Sequence, residues 1–444
     1  MRSWSKGDIF TKLSLVIFGL GSVVRGQIIK GLAFFAVEAL FFYYMLVSGA
    51  GYISKLGTLG TKQQGWVFDE AIGINVLQQG ENSMLILLFG VLAIFMVVFF
   101  IFFAVKSVQA SYKAEQLRKE GKKPPSVIDE IKALFDSNLH KSLLILPGLG
   151  VFAFTILPLM FMILMAFTNF DQNHQPPGNL FTWVGFENFK NIFWANPVWA
   201  RTFVNIFIWT IIWAVFATFT NYFLGMLLAL YINGKKIRLK KLWRTIFVMT
   251  IAVPQFVSLR LMGILLNDEG AVNVLLRTLG IIANNDSVQF LSSGTLARIT
   301  VILVNVWVGI PYTMLITSGI LMNIPADLYE SAYIDGANRF QTFRKITLPY
   351  MLFVTTPYLI TQFIANINNF NVIFLLNQGG PRSLNYYQGG ETDLLVTWLY
   401  RLTVDFQDYN LASTIGIIIF IICGGLSLIF YNRSKSVREE EVFS

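Results

Sequence analysis

Long apolar runs alternate with polar or basic connectors along almost the whole chain. A hydrocarbon core of about 30 Å needs about 20 apolar residues per helix. Runs of that length predict helices over about 29–48, 84–105, 143–167, 202–232, 245–266, 296–322, 350–376 and 411–431. Residues 13–24 are apolar but too short to cross. They follow Arg2, Lys6 and Lys12, and no small-residue cleavage site comes after them, so they read as an uncleaved helix at the membrane interface. Pro147 and Pro158 should bend the third run and Pro254 the fifth. Glu38 interrupts the first run; a carboxyl at that depth is a functional flag, and the simpler reading is a structural Glu hydrogen-bonded against another helix.

The basic residues gather in alternate connectors. Residues 106–141 hold Lys106, Lys113, Arg118, Lys119, Lys122, Lys123, Lys132 and Lys141, and residues 235–244 hold Lys235, Lys236, Arg238, Lys240, Lys241 and Arg244. With Arg433, Lys435 and Arg438 in the tail, this bias predicts a cytosolic side for those loops and for both termini. The connectors 50–82, 169–201, 267–294 and 377–410 then face outward. The net charge of +9 therefore reports topology and not nucleic-acid binding. Composition agrees: 55% of residues are hydrophobic, 13% are charged and mean hydropathy is +0.59, which excludes a soluble chain. The linker Lys122-Lys123-Pro124-Pro125 suggests a division into an interfacial segment (1–28), two additional spans with a basic loop (29–141), a six-helix core (142–432) and a cytosolic tail (433–444). The predicted fold is an all-α polytopic membrane protein with eight transmembrane helices.

Catalytic constellations are missing. Cys423 is the single cysteine, and it lies in an apolar run. His140 and His174 fall on opposite predicted sides, so no histidine metal cluster is expected. Gly121-Lys122 and Gly234-Lys235 are each followed by Lys and not Ser or Thr, so neither forms a phosphate-binding P-loop. The expectation is a transport subunit that is not an enzyme and binds no cofactor.

Two polar stripes lie inside apolar helices. Asn305, Gly309 and Tyr312 are spaced i, i+4, i+7, as are Gln362, Asn366 and Asn369. Amides carry donors and acceptors together, which suits a neutral polyhydroxylated ligand. Interhelical hydrogen bonding explains the same spacing equally well. Between the last two stripe-bearing runs, residues 330–349 form a polar connector. Pro325 and Asp327 start a helix, Gly336 breaks it, and Phe340 and Phe343 share a face of a second one, before Pro349 opens the next span.

In that connector Glu330, Ser331, Ala332, Asp335, Gly336, Ala337, Ile346, Leu348 and Pro349 resemble the EAA loop of ABC-importer permeases, with Ser331 in place of the middle Ala. Residues 305–312, 366–370, 377–381 and 392–396, with Tyr400 and Arg401, resemble the larger permease subunit of maltose/maltodextrin importers, over about residues 142–432. This resemblance implies the ABC type I importer permease fold, alternating access and a sugar site midway across the membrane. The positions implied are Asn305, Val308, Gly309, Tyr312, Gln362, Ala365, Asn366 and Asn369; Gln362 and Ala365 differ in type from the family residues. It also implies that Glu330, Ser331, Ala332, Asp335, Gly336, Ala337, Phe340 and Phe343 couple to an ATPase that binds ATP and Mg itself. The implied partners are a second permease subunit, two copies of that ATPase, an extracellular solute-binding protein, the oligosaccharide and membrane lipid, with no nucleic acid. The best-known members carry a large domain between the third and fourth spans. Here only 169–201 stand there, which points to a lipid-anchored binding protein docking on small loops. The alternatives are the same machinery carrying an α-galactoside or arabinogalactan fragment and, more distantly, an ion-coupled secondary transporter, for which only Glu38 offers a carboxylate.

Overall fold

A computed structural model describes residues 2–234 and 237–433; Lys235, Lys236, Lys435 and Arg438 lie outside it. Among the described residues, seven helices are long and apolar enough to span a membrane: α1 (Ile28–Lys55), α2 (Ser83–Lys119), α3 (Leu139–Met165), α4 (Pro197–Asn233), α7 (Gly294–Leu321), α9 (Arg339–Ile367) and α12 (Tyr409–Arg433). An eighth span exists if α5 (Lys240–Ala252) and α6 (Gln255–Leu265) count as one, although they meet at 86°. Pro254 at the break removes an N–H and forces the bend well beyond an ordinary kink. The short helices α8 (Ala326–Ile334), α10 (Phe370–Asn377) and α11 (Leu395–Val404) complete the set used below. The chain forms two compact units, 1–185 and 186–444.

In the first unit the interfacial segment is not one helix. It is three short ones, Arg2–Lys6, Ile9–Leu13 and Leu20–Val24, turned at Gly19 with φ +79. Polar groups dictate the fold-back. Arg25 is buried and pairs with Asp8 at 2.6 Å, donates to Ser111 on α2 at 2.6 Å, and lies 3.6 Å from Glu115. Glu38 is buried on α1 and accepts the Phe18 backbone N–H at 2.7 Å, the structural role expected of it. The 50–82 connector adds a hairpin to the expected all-helical fold: β1 (Gly65–Asp69) pairs antiparallel with β2 (Ile74–Gln78), with Val67 opposite Val76. The unit boundary falls after Gly185, whereas the sequence suggested residue 142. Phe152 of α3 packs edge-on against Phe95 and Phe99 of α2, with centroids 5.0 and 5.4 Å away, and Trp183 Nε1 donates to Leu56 O at 2.7 Å.

The second unit is built around α4. Asn196 caps it by accepting the Val198 and Trp199 N–H groups, and Pro197 occupies the first turn, so the helix starts earlier than its apolar run. Small residues let α7 approach closely. A Cβ on Gly225 would lie 2.7 Å from Thr313 Cβ, and Thr313 Oγ1 donates to Asn221 O at 2.7 Å. Tyr222 of α4 shares a 2.7 Å hydrogen bond with Thr355 of α9. The expected seventh span is not continuous. It breaks at Asn368, and Asn369 caps α10 by accepting the Val372 N–H at 3.2 Å.

Candidate functional site

The two polar stripes face a common cavity of about 150 Å³. Asn305, Val308, Gly309 and Tyr312 come from α7, and Gln362, Asn366 and Asn369 from α9 and its break. Ala365 does not line it; three residues past Gln362, it turns to the exposed side of α9. The remaining walls were missed in the sequence. Thr218 and Asn221 come from α4, Gln255 from the start of α6, and Tyr358 from α9. A signal for the α4 wall existed: Thr218, Asn221, Tyr222 and Gly225 are spaced i, i+3, i+4, i+7, a polar and small face within an apolar helix.

Part of this polarity is interhelical glue. Asn366 Nδ2 donates to Thr218 Oγ1 at 3.0 Å, and Asn369 Nδ2 donates to Asn366 Oδ1 at 3.2 Å. The rest is unpaired. Asn305 Nδ2 and Asn221 Oδ1 are buried without a hydrogen-bond partner among the described residues. An unmet buried donor or acceptor costs about 1–3 kcal/mol, so these two ask for a ligand or water. Gly309 lets Asn221 of α4 approach α7 closely. A Cβ there would sit 2.6 Å from Asn221 Cγ, so the Asn221 amide fills the space. The lining holds no Asp, Glu, Lys, Arg or His. The arrangement suits a neutral, hydroxyl-rich solute held by amides and phenol rings.

A second polar cavity, about 230 Å³, opens at the other end of α10. Asp393 and Arg401 frame it, 3.3 Å apart and both buried. Arg401 also donates to the Gln378 carbonyl, while Gly390 N–H and Thr397 Oγ1 donate to Asp393 at 2.8 and 2.9 Å. Burial pushes the Asp393 carboxyl up to about 6, against the opposing pull of Arg401. Gly379, with φ +76, leaves no room for a Cβ beside that carboxylate.

The connector 330–349 folds as expected at its start. Pro325 precedes α8, Asp327 lies in its first turn, and Gly336 follows with φ +76. Asn338 and Gln341 form a reciprocal capping box that opens α9. Glu330, Ser331, Asp335 and Gly336 are exposed, Ala332 and Ala337 are partly so, and neither Glu330 nor Asp335 has an ion pair among the described residues. Phe340 is 68% exposed. Phe343 departs from the expected shared face. A wide π turn at Phe343–Thr347 carries it inward, where it packs against the cluster of Tyr222, Met226, Ile324 and Met351.

A bundle of this kind, with broken helices around a polar midpoint and a helix–turn–helix beneath, defines a multi-pass transport permease. The chain belongs to the binding-protein-dependent transport system inner membrane components, whose pattern matches residues 221–435. It is 34% identical over 428 residues to the galactooligosaccharides transport system permease protein GanP of Bacillus subtilis, covering 96% of this chain and 97% of that one. It is 33% identical over 438 residues to the maltodextrin transport system permease protein MdxF of the same organism, covering 96% of each. A crystal structure of a bacterial ABC transporter that imports the acidic polysaccharide alginate shares the fold, with TM-score 0.54 and 23% identity over 69% of this chain and 98% of that one. The chain is therefore a membrane permease component and not the ATPase.

Proposed function

We propose that this chain carries neutral oligosaccharides of the maltodextrin type across the cell membrane, as one of two permease subunits of an ATP-driven importer. The observation that carries the reading is the uncharged, amide-lined cavity with two unsatisfied polar atoms, midway along α7. Hydroxyls supply both a donor and an acceptor to such groups. The absence of a carboxylate from the lining favours this over ion coupling, since Glu38 is in the other unit and already holds the Phe18 amide. It also favours a neutral sugar over an acidic one. A galactooligosaccharide is the second reading, favoured by the likeness to GanP.

The excess of Lys and Arg in alternate loops supports a cytosolic position for α8 and for both termini. There Glu330, Asp335 and Phe340 meet an ATPase that carries ATP and Mg, and Gly336 sets the turn between the two helical pieces. Closure of two ATPases swings the helices that wall the cavity between outward- and inward-open states. A lipid-anchored binding protein delivers the sugar to the opposite side.

The test is sugar-stimulated ATP hydrolysis in the complex reconstituted with its receptor, using maltodextrins and galactooligosaccharides in parallel. Stimulation by the maltodextrin series alone supports the first reading. Stimulation by galactooligosaccharides alone selects the second. Uptake that survives ATP depletion and stops with an ionophore would refute both.

A further inference from the structure

The second cavity has no part in the mechanism above. Its framework is satisfied internally by Asp393, Arg401 and Thr397. Other groups that line it are not. Gln378, Arg382, Tyr400 and Asp405 make no side-chain hydrogen bond among the described residues, and Gln378, Arg382 and Asp405 are exposed. Arg382, within electrostatic reach of Asp393, and the Asp405 carboxylate leave the rim balanced in charge beside the Asp393–Arg401 pair, so an anion has no advantage there. A carboxylate, a guanidinium, an amide and a phenol beside aromatic rings match the alternating hydroxyls and apolar faces of a sugar.

Position gives the cavity its meaning. Asn369 lines the central cavity at the start of α10, and Asn377 lines the second cavity at its end. Eight residues of helix separate the two by about 12 Å. An aromatic ladder runs between them. Phe370 and Phe374 stack at 4.6 Å on one face of α10, and Tyr400 of α11 meets them edge-on at 4.9 and 5.0 Å. Phe374 and Tyr400 also line the second cavity, so the outer end of the ladder offers it apolar aromatic surface.

We infer that this cavity is an outer carbohydrate subsite that holds the trailing units of an oligosaccharide while its leading end occupies the central cavity, with the Phe370–Phe374–Tyr400 ladder between them. The inference rests on the proposed sugar import and on the outward orientation of the 378–394 loop. A tetrasaccharide reaches both cavities, and a disaccharide seated centrally does not.

The experiment uses the whole complex reconstituted with its receptor and compares transport of a disaccharide with that of a tetrasaccharide, in the maltodextrin and galactooligosaccharide series. Arg382→Gln and Asp405→Asn change exposed side chains, and Tyr400→Phe keeps the ring. The tetrasaccharide-to-disaccharide ratio of kcat/KM is expected to fall about tenfold in Asp405→Asn, the scale of one hydrogen bond to a charged group, and by less in Tyr400→Phe. An unchanged ratio in all three variants overturns the outer subsite. Asn305→Ala separates this from failure of the function itself. If it lowers transport of both lengths while the outer variants leave the ratio alone, central sugar binding stands and the outer subsite falls. If it spares both lengths, the central reading falls.

Discussion

The Asn305 side chain is buried on α7, and its amide nitrogen has nothing to donate to among the described residues. A group in that state contributes no stability to the empty protein and awaits a partner. Asn305→Ala should therefore leave the thermal midpoint of the purified protein unchanged or slightly raised, while sugar affinity falls about tenfold, the scale of one hydrogen bond. Asn366→Ala should behave differently, because Asn366 bonds Thr218 and Asn369; both stability and affinity should drop. Parallel melting and binding measurements on the two variants distinguish donor from glue. The spacing that groups these residues was legible in the sequence, but which amide is paired was not, since pairing depends on Thr218 from a helix almost 150 residues away, |i−j| = 148. Glu81 offers a second test at this scale. Lys55 Nζ at 2.8 Å, with the Thr61 and Lys62 N–H groups, holds its carboxyl down to about 2 from an ordinary 4.5. A depressed carboxylate stabilises the native loop above its unfolded value and stops doing so as it protonates. Protection of the Thr61 and Lys62 amides from hydrogen exchange should thus be complete above about pH 4.5 and fade toward about pH 2. Glu81→Gln should remove that pH dependence.

Helices were legible where an apolar run was long, and illegible where polarity or a fold-back set the boundary. The runs predicted α4, α7 and α12 in place, whereas α2 runs past its expected end near residue 105 to Lys119. They gave no warning that Asn368 and Asn369 split the seventh span, because an Asn cap inside an apolar run resembles one more polar residue of a stripe. They also could not show that a π turn would pull Phe343 inward from Phe340. The contact between α4 and α7 depends on glycine in a way that invites a test. A Cβ at Gly225 would stand 2.7 Å from Thr313 Cβ and 2.8 Å from Met314 N, and a backbone atom cannot rotate aside. Gly225→Ala should cost about 1–3 kcal/mol by overpacking and lower the thermal midpoint. At Gly336 nothing crowds a Cβ, and only the φ of +76 matters. Gly336→Ala should therefore be mild, about 1–2 kcal/mol of local strain. Gly336→Pro, whose ring fixes φ near −65°, should abolish sugar-stimulated ATP hydrolysis while membrane insertion persists.

For the whole molecule, the decisive quantity is which face of the membrane each connector occupies. The unit 186–444 contains the central cavity, the second cavity and the α8 connector together, so one orientation assigns all three. The proposed orientation rests on charge: Lys240, Lys241 and Arg244 sit at the start of α5, and with α5 and α6 counted as one crossing and α7 as the next, α8 returns to the same side. On that proposal the loop that bears Leu384 lies opposite. The chain makes this easy to examine, because Cys423 is its only cysteine and is partly covered within α12. On a Cys423→Ser background, Asp335→Cys and Leu384→Cys each place one thiol on an exposed position. A membrane-impermeant maleimide should label Leu384→Cys in right-side-out vesicles and Asp335→Cys only in inverted ones. The reverse pattern would put the exposed Glu330 and Phe340 outside, out of reach of any ATPase, and would turn the second cavity toward the cytosol. The drive and the sugar path would then both be wrong for a single reason, the sign read from a handful of lysines and arginines.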